Sequence, residues 1–199
     1  MKISEGLKHK GRPFHITDCS RNELPIFCKE MGFTIGAEIG VYEGAYTEKF
    51  CELGIFMNAI DPWIGYKGAG RTEKDQLRQD IHYDAACKRL KDYNCRIIRA
   101  TSMDALNEIK NYSLDFVYID GNHIFRYVAE DVDEWTKKVK PGGIVAGHDY
   151  WNTDPWAKNT ICHVKAVIDA YTNLYNLDFY TFGGTNEKGR KNYSWMFIK

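Results

Sequence analysis

The chain has 199 residues, with 27 basic and 27 acidic side chains that give a formal net charge of zero. This length fits one domain with a substantial core, and the balanced charge argues against nucleic-acid or anionic-membrane partners. No apolar run is long enough to cross a bilayer, and the N-terminus lacks the apolar core of a secretory signal. We therefore expect a cytoplasmic protein whose six scattered cysteines are reduced.

Strand and helix patterns alternate from residue 35 onward, after an N-terminal segment, 1–34, that we expect to form a helical cap. Residues 35–199 are predicted to form a single α/β domain. Its strands are predicted at 35–40, 55–61, 95–100, 114–120, 144–150, 177–184 and 193–199, and its helices at 45–54, 72–92, 102–111, 124–140 and 160–175. This order predicts a doubly wound, mostly parallel seven-stranded sheet whose last strand is antiparallel.

Polar residues gather where the predicted parallel strands end. Ligands of such sheets bind at the carboxyl ends of the strands. Glu38 and Gly40 close the first predicted strand, and Asp61 closes the second, near the interval of about 20 residues that is typical of a mononucleotide unit. The corresponding residues of the later strands are Ser102, Asp120, His148 and Asp149.

The turn after the first strand distinguishes between two classes of nucleotide ligand. Gly40 and Gly44 leave space for ligand atoms beside the backbone. A pyrophosphate prefers G-x-G-x-x-G, whereas here Glu43 would repel it and Tyr42 would crowd it. S-adenosylmethionine carries a sulfonium and an ammonium and no phosphate, so acids at the turn attract it. The alternatives that stay open are a nicotinamide-dependent oxidoreductase on a related fold and a non-catalytic cofactor-binding module.

Five motifs in order resemble the class I S-adenosylmethionine-dependent methyltransferases, over about residues 35–199. They are AEIGVYEG, AIDPW, RATSMDAL, LDFVYIDGNH and VKPGGIVAGHDY. The resemblance implies that the acid of the second motif binds ribose hydroxyls and that the third motif flanks adenine. The cofactor-binding residues that it implies are Glu38, Gly40, Gly44, Asp61, Pro62, Trp63, Ser102, Met103 and Asp120.

Within this class the chain is similar to the small-molecule O-methyltransferases of the catechol and macrocin type. The resemblance implies a divalent metal at Asp120, His148 and Asp149, and a base at His123, three places after the first acid. His148 stands where a carboxylate is usual and His123 where lysine is usual. The metal requirement therefore stays open, and a histidine with two carboxylates suits Mn or Fe better than Mg. The candidate catalytic residues are His123, His148 and Asp149.

The acceptor is expected to be a small hydroxylated molecule. A neutral histidine can deprotonate a hydroxyl near pH 7, and the sequence DGNH replaces the Asn/Asp-Pro-Pro-aromatic motif of the amino-directed enzymes. Zero net charge disfavours an RNA acceptor; homo-oligomerisation stays open. Five aromatic residues are expected either to wall the acceptor pocket or to pack in the core: Trp63, Tyr66, Tyr150, Trp151 and Trp156.

Overall fold

The computed structural model describes residues 1–64, 76–153, 161–185 and 191–199. All seven predicted strands are present. The elements are α1 (Ile3–Gly6), β1 (Phe14–Ile16), α2 (Glu23–Glu30), β2 (Ile35–Ile39), α3 (Ala45–Cys51), β3 (Phe56–Asp61), α4 (Gln76–Leu90), β4 (Cys95–Arg99), α5 (Ser102–Ala105), β5 (Leu114–Ile119), α6 (Phe125–Lys138), β6 (Val139–Gly147), α7 (Val164–Leu174), β7 (Phe179–Thr185) and β8 (Lys191–Ile198). None of the helices in these ranges combines the length and the apolar character that a bilayer span requires.

The described strands form one eight-stranded sheet in the order β1-β7-β8-β6-β5-β2-β3-β4. β8 runs antiparallel to both of its neighbours, β6 and β7, and all other pairs are parallel. The mostly parallel sheet with an antiparallel last strand is therefore confirmed. β1 adds an eighth strand, parallel to β7. It lies within residues 1–34, so the expected helical cap contains two short helices and a strand of the main sheet.

The order of the strands reverses between β2 and β5 at the centre of the sheet. The chain passes outward from β2 through β3 to β4 and returns to β5, which pairs with β2 on its other side. Backbone hydrogen bonds continue past the strand ends, from Gly40 N to Ile60 O (2.9 Å) and from Asp120 N to Ile39 O (2.7 Å). The ends of β2, β3 and β5 therefore meet at the position where ligands bind in open parallel sheets.

Successive residues of the central strands supply two separate cores, one on each face of the sheet. Val117 and Ile119 of β5 belong to the core that includes residues of α6 and α7, whereas Phe116 and Tyr118 belong to the core that includes residues of α2 and α3. This alternation follows from the period of two residues along a strand. Because both faces are covered, the edge formed by the strand ends is left for polar side chains.

β6 begins and ends earlier than the predicted strand 144–150, and it includes the sequence Pro-Gly-Gly. A Cβ atom on Gly143 would lie 2.4 Å from the carbonyl oxygen of Asp115, so glycine permits the close approach of β6 to β5. The strand ends at Gly147. His148 and Asp149 therefore follow the strand, at the same edge as the end of β5.

Candidate active site

A cavity of about 570 Å³ lies at the carboxyl ends of β2 to β5, within the size range of small-molecule sites. Its lining contains six of the predicted site residues: Gly40, Asp61, Pro62, Ser102, Asp120 and His123. The other six lie outside the lining: Glu38, Gly44, Trp63, Met103, His148 and Asp149. Lining residues that the motifs did not indicate include Tyr42, Asn122, Ile124, Tyr127 and Asp131.

The two glycines of the first motif, Gly40 and Gly44, are required for different structural reasons. Gly40 has φ +89°, and a Cβ atom there would lie 2.2 Å from the carbonyl oxygen of Asp120. Glycine at this position therefore lets the end of β2 contact the end of β5. Gly44 has φ +78° and precedes α3, and its N–H donates to Val41 O over 2.9 Å. It closes the tight turn that leads into the helix.

Asp61 fastens the loop after β2 to the loop after β3. Its Oδ2 accepts the backbone N–H groups of Val41 (2.9 Å) and Tyr42 (3.0 Å), and its Oδ1 accepts that of Trp63 (2.8 Å). Burial raises the pKa of Asp61, and these three donors oppose the shift. Since each carboxylate oxygen has two acceptor positions, Oδ1 keeps capacity for one more donor from the cavity.

Three residues predicted to contact the cofactor pack against other parts of the protein and are absent from the cavity lining. Trp63 is fully buried, and its indole N–H donates to Tyr42 O over 2.8 Å. Met103 packs against the core on the α6 face of the sheet. Glu38 is only 2% exposed and accepts a hydrogen bond from the Thr47 hydroxyl of α3. Burial raises the pKa of Glu38 to about 8, so the carboxyl is held in its neutral form beneath the cavity.

At the ends of β5 and β6, one imidazole lies between two carboxylates. His123 Nε2 is 3.5 Å from Asp120 Oδ1 and 3.3 Å from Asp149 Oδ2. This nitrogen is buried and has no hydrogen-bond partner among the described residues. Burial alone would lower the pKa of His123, but the two carboxylates raise it above its usual value. The arrangement can accept a proton and stabilise the resulting imidazolium.

The trio Asp120, His123 and Asp149 also has the spacing of a metal site, because one ligand atom from each residue lies within 4.8 Å of the others. The predicted metal set contained His148 rather than His123. His148 Nδ1 lies 3.3 Å from Asp149 Oδ1, and the two histidines hold the pKa of Asp149 at about 2 against the effect of burial. His148 therefore orients Asp149 from outside the trio.

Arg21 reaches the same edge from the N-terminal segment. Its Nη1 lies 3.7 Å from Asp120 Oδ2, and its guanidinium lies over the ring of Tyr46, 4.9 Å from the centroid. The Tyr46 hydroxyl donates to Arg21 O over 2.7 Å, which fixes the backbone at this point. No local pattern indicates Arg21, because its partners lie far along the chain.

Asp131 is a second residue that the motifs did not indicate. It lies on α6, is 3% exposed and lines the cavity. The other buried residues of this helix, Val128, Val132 and Trp135, are apolar and lie on the same face as Asp131. An acid on the buried face of a helix is unusual, so the sequence did carry a signal at this position.

The expected aromatic wall is only partly described. Tyr150 is buried in the core on the α6 face, and its hydroxyl donates to Asp169. Trp151 is partly buried against the same core, and its indole N–H donates to Asp149 Oδ1 over 3.1 Å. Tyr66 and Trp156 lie outside the described residues.

The sheet order, the glycine turn and the polar strand ends together define a class I methyltransferase fold. The family model Methyltransf_24, described as a methyltransferase domain, matches residues 37–150. This match covers more than half of the chain. The chain therefore belongs to this methyltransferase family.

Individual proteins resemble the chain at low sequence identity. "Uncharacterized protein y4gI" of Sinorhizobium fredii is 27% identical over 118 residues, which cover 56% of this chain and only 12% of that protein. An O-methyltransferase from Bacillus cereus, solved in complex with SAH (S-adenosylhomocysteine), is 17% identical with a TM-score of 0.64, covering 92% of this chain and 83% of that one. A rRNA methylase from Streptococcus thermophilus is 14% identical with a TM-score of 0.61, covering 92% and 99%. These two structures show that the fold is shared.

Proposed function

We propose that this protein transfers the methyl group of S-adenosylmethionine to a hydroxyl oxygen of a small-molecule acceptor. The observation that carries the proposal is the imidazole of His123 between Asp120 and Asp149 at the end of the cavity. The family match favours methyl transfer over a nicotinamide-dependent oxidoreductase. The O-methyltransferase from Bacillus cereus supports oxygen as the acceptor atom.

Asp61 and Asp120 suit the cofactor by charge and position. Both line the cavity, and a sulfonium and an ammonium are attracted to carboxylates. Asp61 Oδ1 has one acceptor position left for a ribose hydroxyl, while its other bonds hold the loops in place. Gly40 has no side chain, so the end of β2 can approach the end of β5 closely. We therefore place the ribose beside Asp61 and the methyl group towards Asp120.

His123 is the proposed base. Methyl transfer is an in-line displacement, so the enzyme must align the acceptor oxygen with the methyl carbon. The oxygen must also lose its proton, and only the neutral form of His123 can take it. Asp120 and Asp149 raise the pKa of His123. The neutral fraction of His123 therefore grows as the pH rises through this raised pKa. The same carboxylates stabilise the imidazolium once the proton has moved.

Asp120, His123 and Asp149 fit the donor set of a divalent metal ion. The trio offers two carboxylate oxygens and one imidazole nitrogen at compatible spacing, and a nitrogen ligand favours Mn or Fe over Mg. A metal bound by these residues would occupy the ligand atom of His123 and would replace this residue as the means of deprotonation, because it would lower the pKa of the acceptor hydroxyl. Metal dependence is therefore part of the proposal that needs its own test.

The small acceptor is supported by the zero net charge of the chain and by the size of the cavity. A nucleic-acid partner would be favoured by a strongly basic surface. The rRNA methylase from Streptococcus thermophilus has the same fold, so RNA belongs among the acceptors tested. We expect no membrane partner.

The test measures transfer of labelled methyl groups to catechols, sugar hydroxyls, amines and RNA, with EDTA or with added Mn²⁺. We expect a hydroxyl acceptor to be preferred. His123→Gln should lower kcat by about 10²-fold or more while SAH affinity changes less than about twofold. His9→Gln is the matched control, because His9 is exposed and stacks on Phe14 in the N-terminal segment.

Other outcomes would select the other hypotheses. Preferred methylation of amines or RNA would reject the acceptor class. SAH binding without transfer to any acceptor would indicate a non-catalytic module. Thermal protection by a nicotinamide dinucleotide but not by SAH would indicate an oxidoreductase.

A further inference from the structure

Arg21 is a positive charge near the proposed base, and the chemistry described so far does not use it. Its Nη1 lies 3.7 Å from Asp120 Oδ2, whereas His123 lies beside Oδ1 of the same carboxylate. At 3.7 Å the contact is an ion pair and not a hydrogen bond. The Tyr118 hydroxyl is another neighbour, but a guanidinium has five N–H donors and 38% of this side chain is exposed. Arg21 therefore keeps donors for a ligand.

The surroundings hold the guanidinium of Arg21 in place. It lies over the ring of Tyr46, 4.9 Å from the centroid, and the hydroxyl of this buried tyrosine donates to the backbone carbonyl of Arg21 over 2.7 Å. A flexible lysine would be enough to neutralise Asp120. A guanidinium fixed on an aromatic ring instead presents a planar fork of donors, which matches the two oxygens of a carboxylate.

The position of Arg21 indicates where its ligand would lie. The described lining of the cavity contains no lysine or arginine, and Arg21 itself lies outside it. Since the cofactor takes the cavity, a ligand of Arg21 would lie beside the cofactor, as a methyl acceptor must. Arg21 and His123 contact the two oxygens of one carboxylate, so a small molecule can reach both side chains.

We propose that Arg21 binds a carboxylate of the methyl acceptor, and that the acceptor is a small hydroxy acid whose hydroxyl reaches His123. The inference rests on the proposed function, because it requires methyl transfer to a hydroxyl oxygen. Holding the acceptor at two points aligns its oxygen with the methyl carbon. The guanidinium and the cofactor's sulfonium offset the negative charges of Asp120 and Asp149 near the bound anion.

The experiment compares hydroxy acids with their neutral amides as acceptors of labelled methyl groups. The pairs are salicylate with salicylamide and glycerate with glyceramide, and the neutral acceptors catechol and glucose are measured beside them. The wild type should prefer the acid of its better pair at least about 10-fold in kcat/KM, because a hydrogen bond between charged groups is lost in the amide.

Arg21→Gln should reduce this preference to less than about threefold by slowing transfer to the acid, while SAH affinity measured by calorimetry changes less than about twofold. Arg21→Lys, which keeps the charge but not the fork, should retain part of the preference. Arg96→Gln is the matched control, since Arg96 lies on the edge strand β4 and pairs with Glu108. Its preference should equal that of the wild type.

Three results would overturn the assignment of Arg21 and leave the proposed function standing. They are a wild type that methylates amides, catechol or glucose as well as the acids, an unchanged preference in Arg21→Gln, and a loss of SAH affinity in that variant with equal losses for acid and amide. The last result would assign the guanidinium to the cofactor's own carboxylate. If Arg21→Gln does not fold, an undiminished preference in Arg21→Lys together with weakened SAH binding also rejects the assignment. A wild type that methylates no hydroxyl compound would reject the proposed function and this inference together.

Discussion

The polar groups at the ends of β2 and β3 have a different role from those at the ends of β5 and β6. We refer to these two regions as the first and the second half of the edge formed by the strand ends. At the ends of β2 and β3, the carboxylate of Asp61 accepts hydrogen bonds from three backbone N–H groups and thereby holds the loops after β2 and β3 together. At the ends of β5 and β6, His123 Nε2 lies between two carboxylates and has no hydrogen-bond partner within the described part of the chain. The first half is therefore organised before a ligand arrives. The second half keeps its titratable groups available for a proton or a metal.

Gly40 joins the two halves, and replacing it should have the largest effect. In Gly40→Ala, the new Cβ atom would meet the carbonyl oxygen of Asp120 at 2.2 Å, on a backbone with φ +89°. A carbonyl of the adjacent strand cannot rotate away as a flexible side chain can. We expect the free energy of unfolding to fall by about 4 kcal/mol and SAH binding to be lost, as measured by urea denaturation and calorimetry.

Gly142→Ala separates the steric contact from the backbone strain. Gly142 has φ +80°, and nothing lies within 4 Å of the position that a Cβ atom would take there. This variant should cost only the strain of about 1 kcal/mol and should bind SAH normally. Equal destabilisation by the two substitutions would show that the contact between β2 and β5 is unimportant.

Glu38 lies beneath the junction of the two halves and should make stability depend on pH. Burial raises the pKa of this carboxyl from 4.5 to about 8, so between these values the folded state holds a proton that the unfolded chain has released. The free energy of unfolding therefore falls as the pH rises through this range and becomes constant above it. Glu38→Gln, which mimics the neutral form, should gain about 4 kcal/mol relative to the wild type between pH 5 and pH 8.5.

Urea denaturation at the two pH values measures this difference. Asp131, whose pKa is also raised, contributes equally to both proteins and cancels. Glu52→Gln is the control because Glu52 is exposed at the end of α3; it should show no such gain. An equal pH dependence of Glu38→Gln and the wild type would mean that Glu38 is ionised in the folded protein.

Local patterns were sufficient for the seven strands of residues 35–199, although they missed β1, which pairs with β7. The alternating strands and helices, the glycine turn and Asp61 are all encoded within short segments. Three features required long-range contacts instead: the approach of Arg21 to Asp120, the turning of Trp63 into the core, and the grouping of His123 with Asp149 in place of His148. Spacing along the chain identifies the strand end at which a side chain lies, but not the direction in which it points.

Replacing Asp61 should have the smallest effect, and it tests the ends of β2 and β3 most specifically. Asp61→Ala should weaken SAH binding by about 1–3 kcal/mol, because three backbone N–H groups and a ribose hydroxyl lose their acceptor. Calorimetry measures the loss. Asp92→Ala is the control, since the side chain of Asp92 is 83% exposed, and its SAH affinity should be unchanged.

A second ligand distinguishes the two roles of Asp61. An SAH analogue without the 2′- and 3′-hydroxyls cannot donate to Oδ1, although it still needs the loops that Asp61 holds. If Asp61 binds the ribose directly, Asp61→Ala should weaken SAH by about 1 kcal/mol more than it weakens the analogue. Equal losses for both ligands would show that Asp61 acts only by holding the loops after β2 and β3. The organised half would then shape the pocket without contacting the sugar.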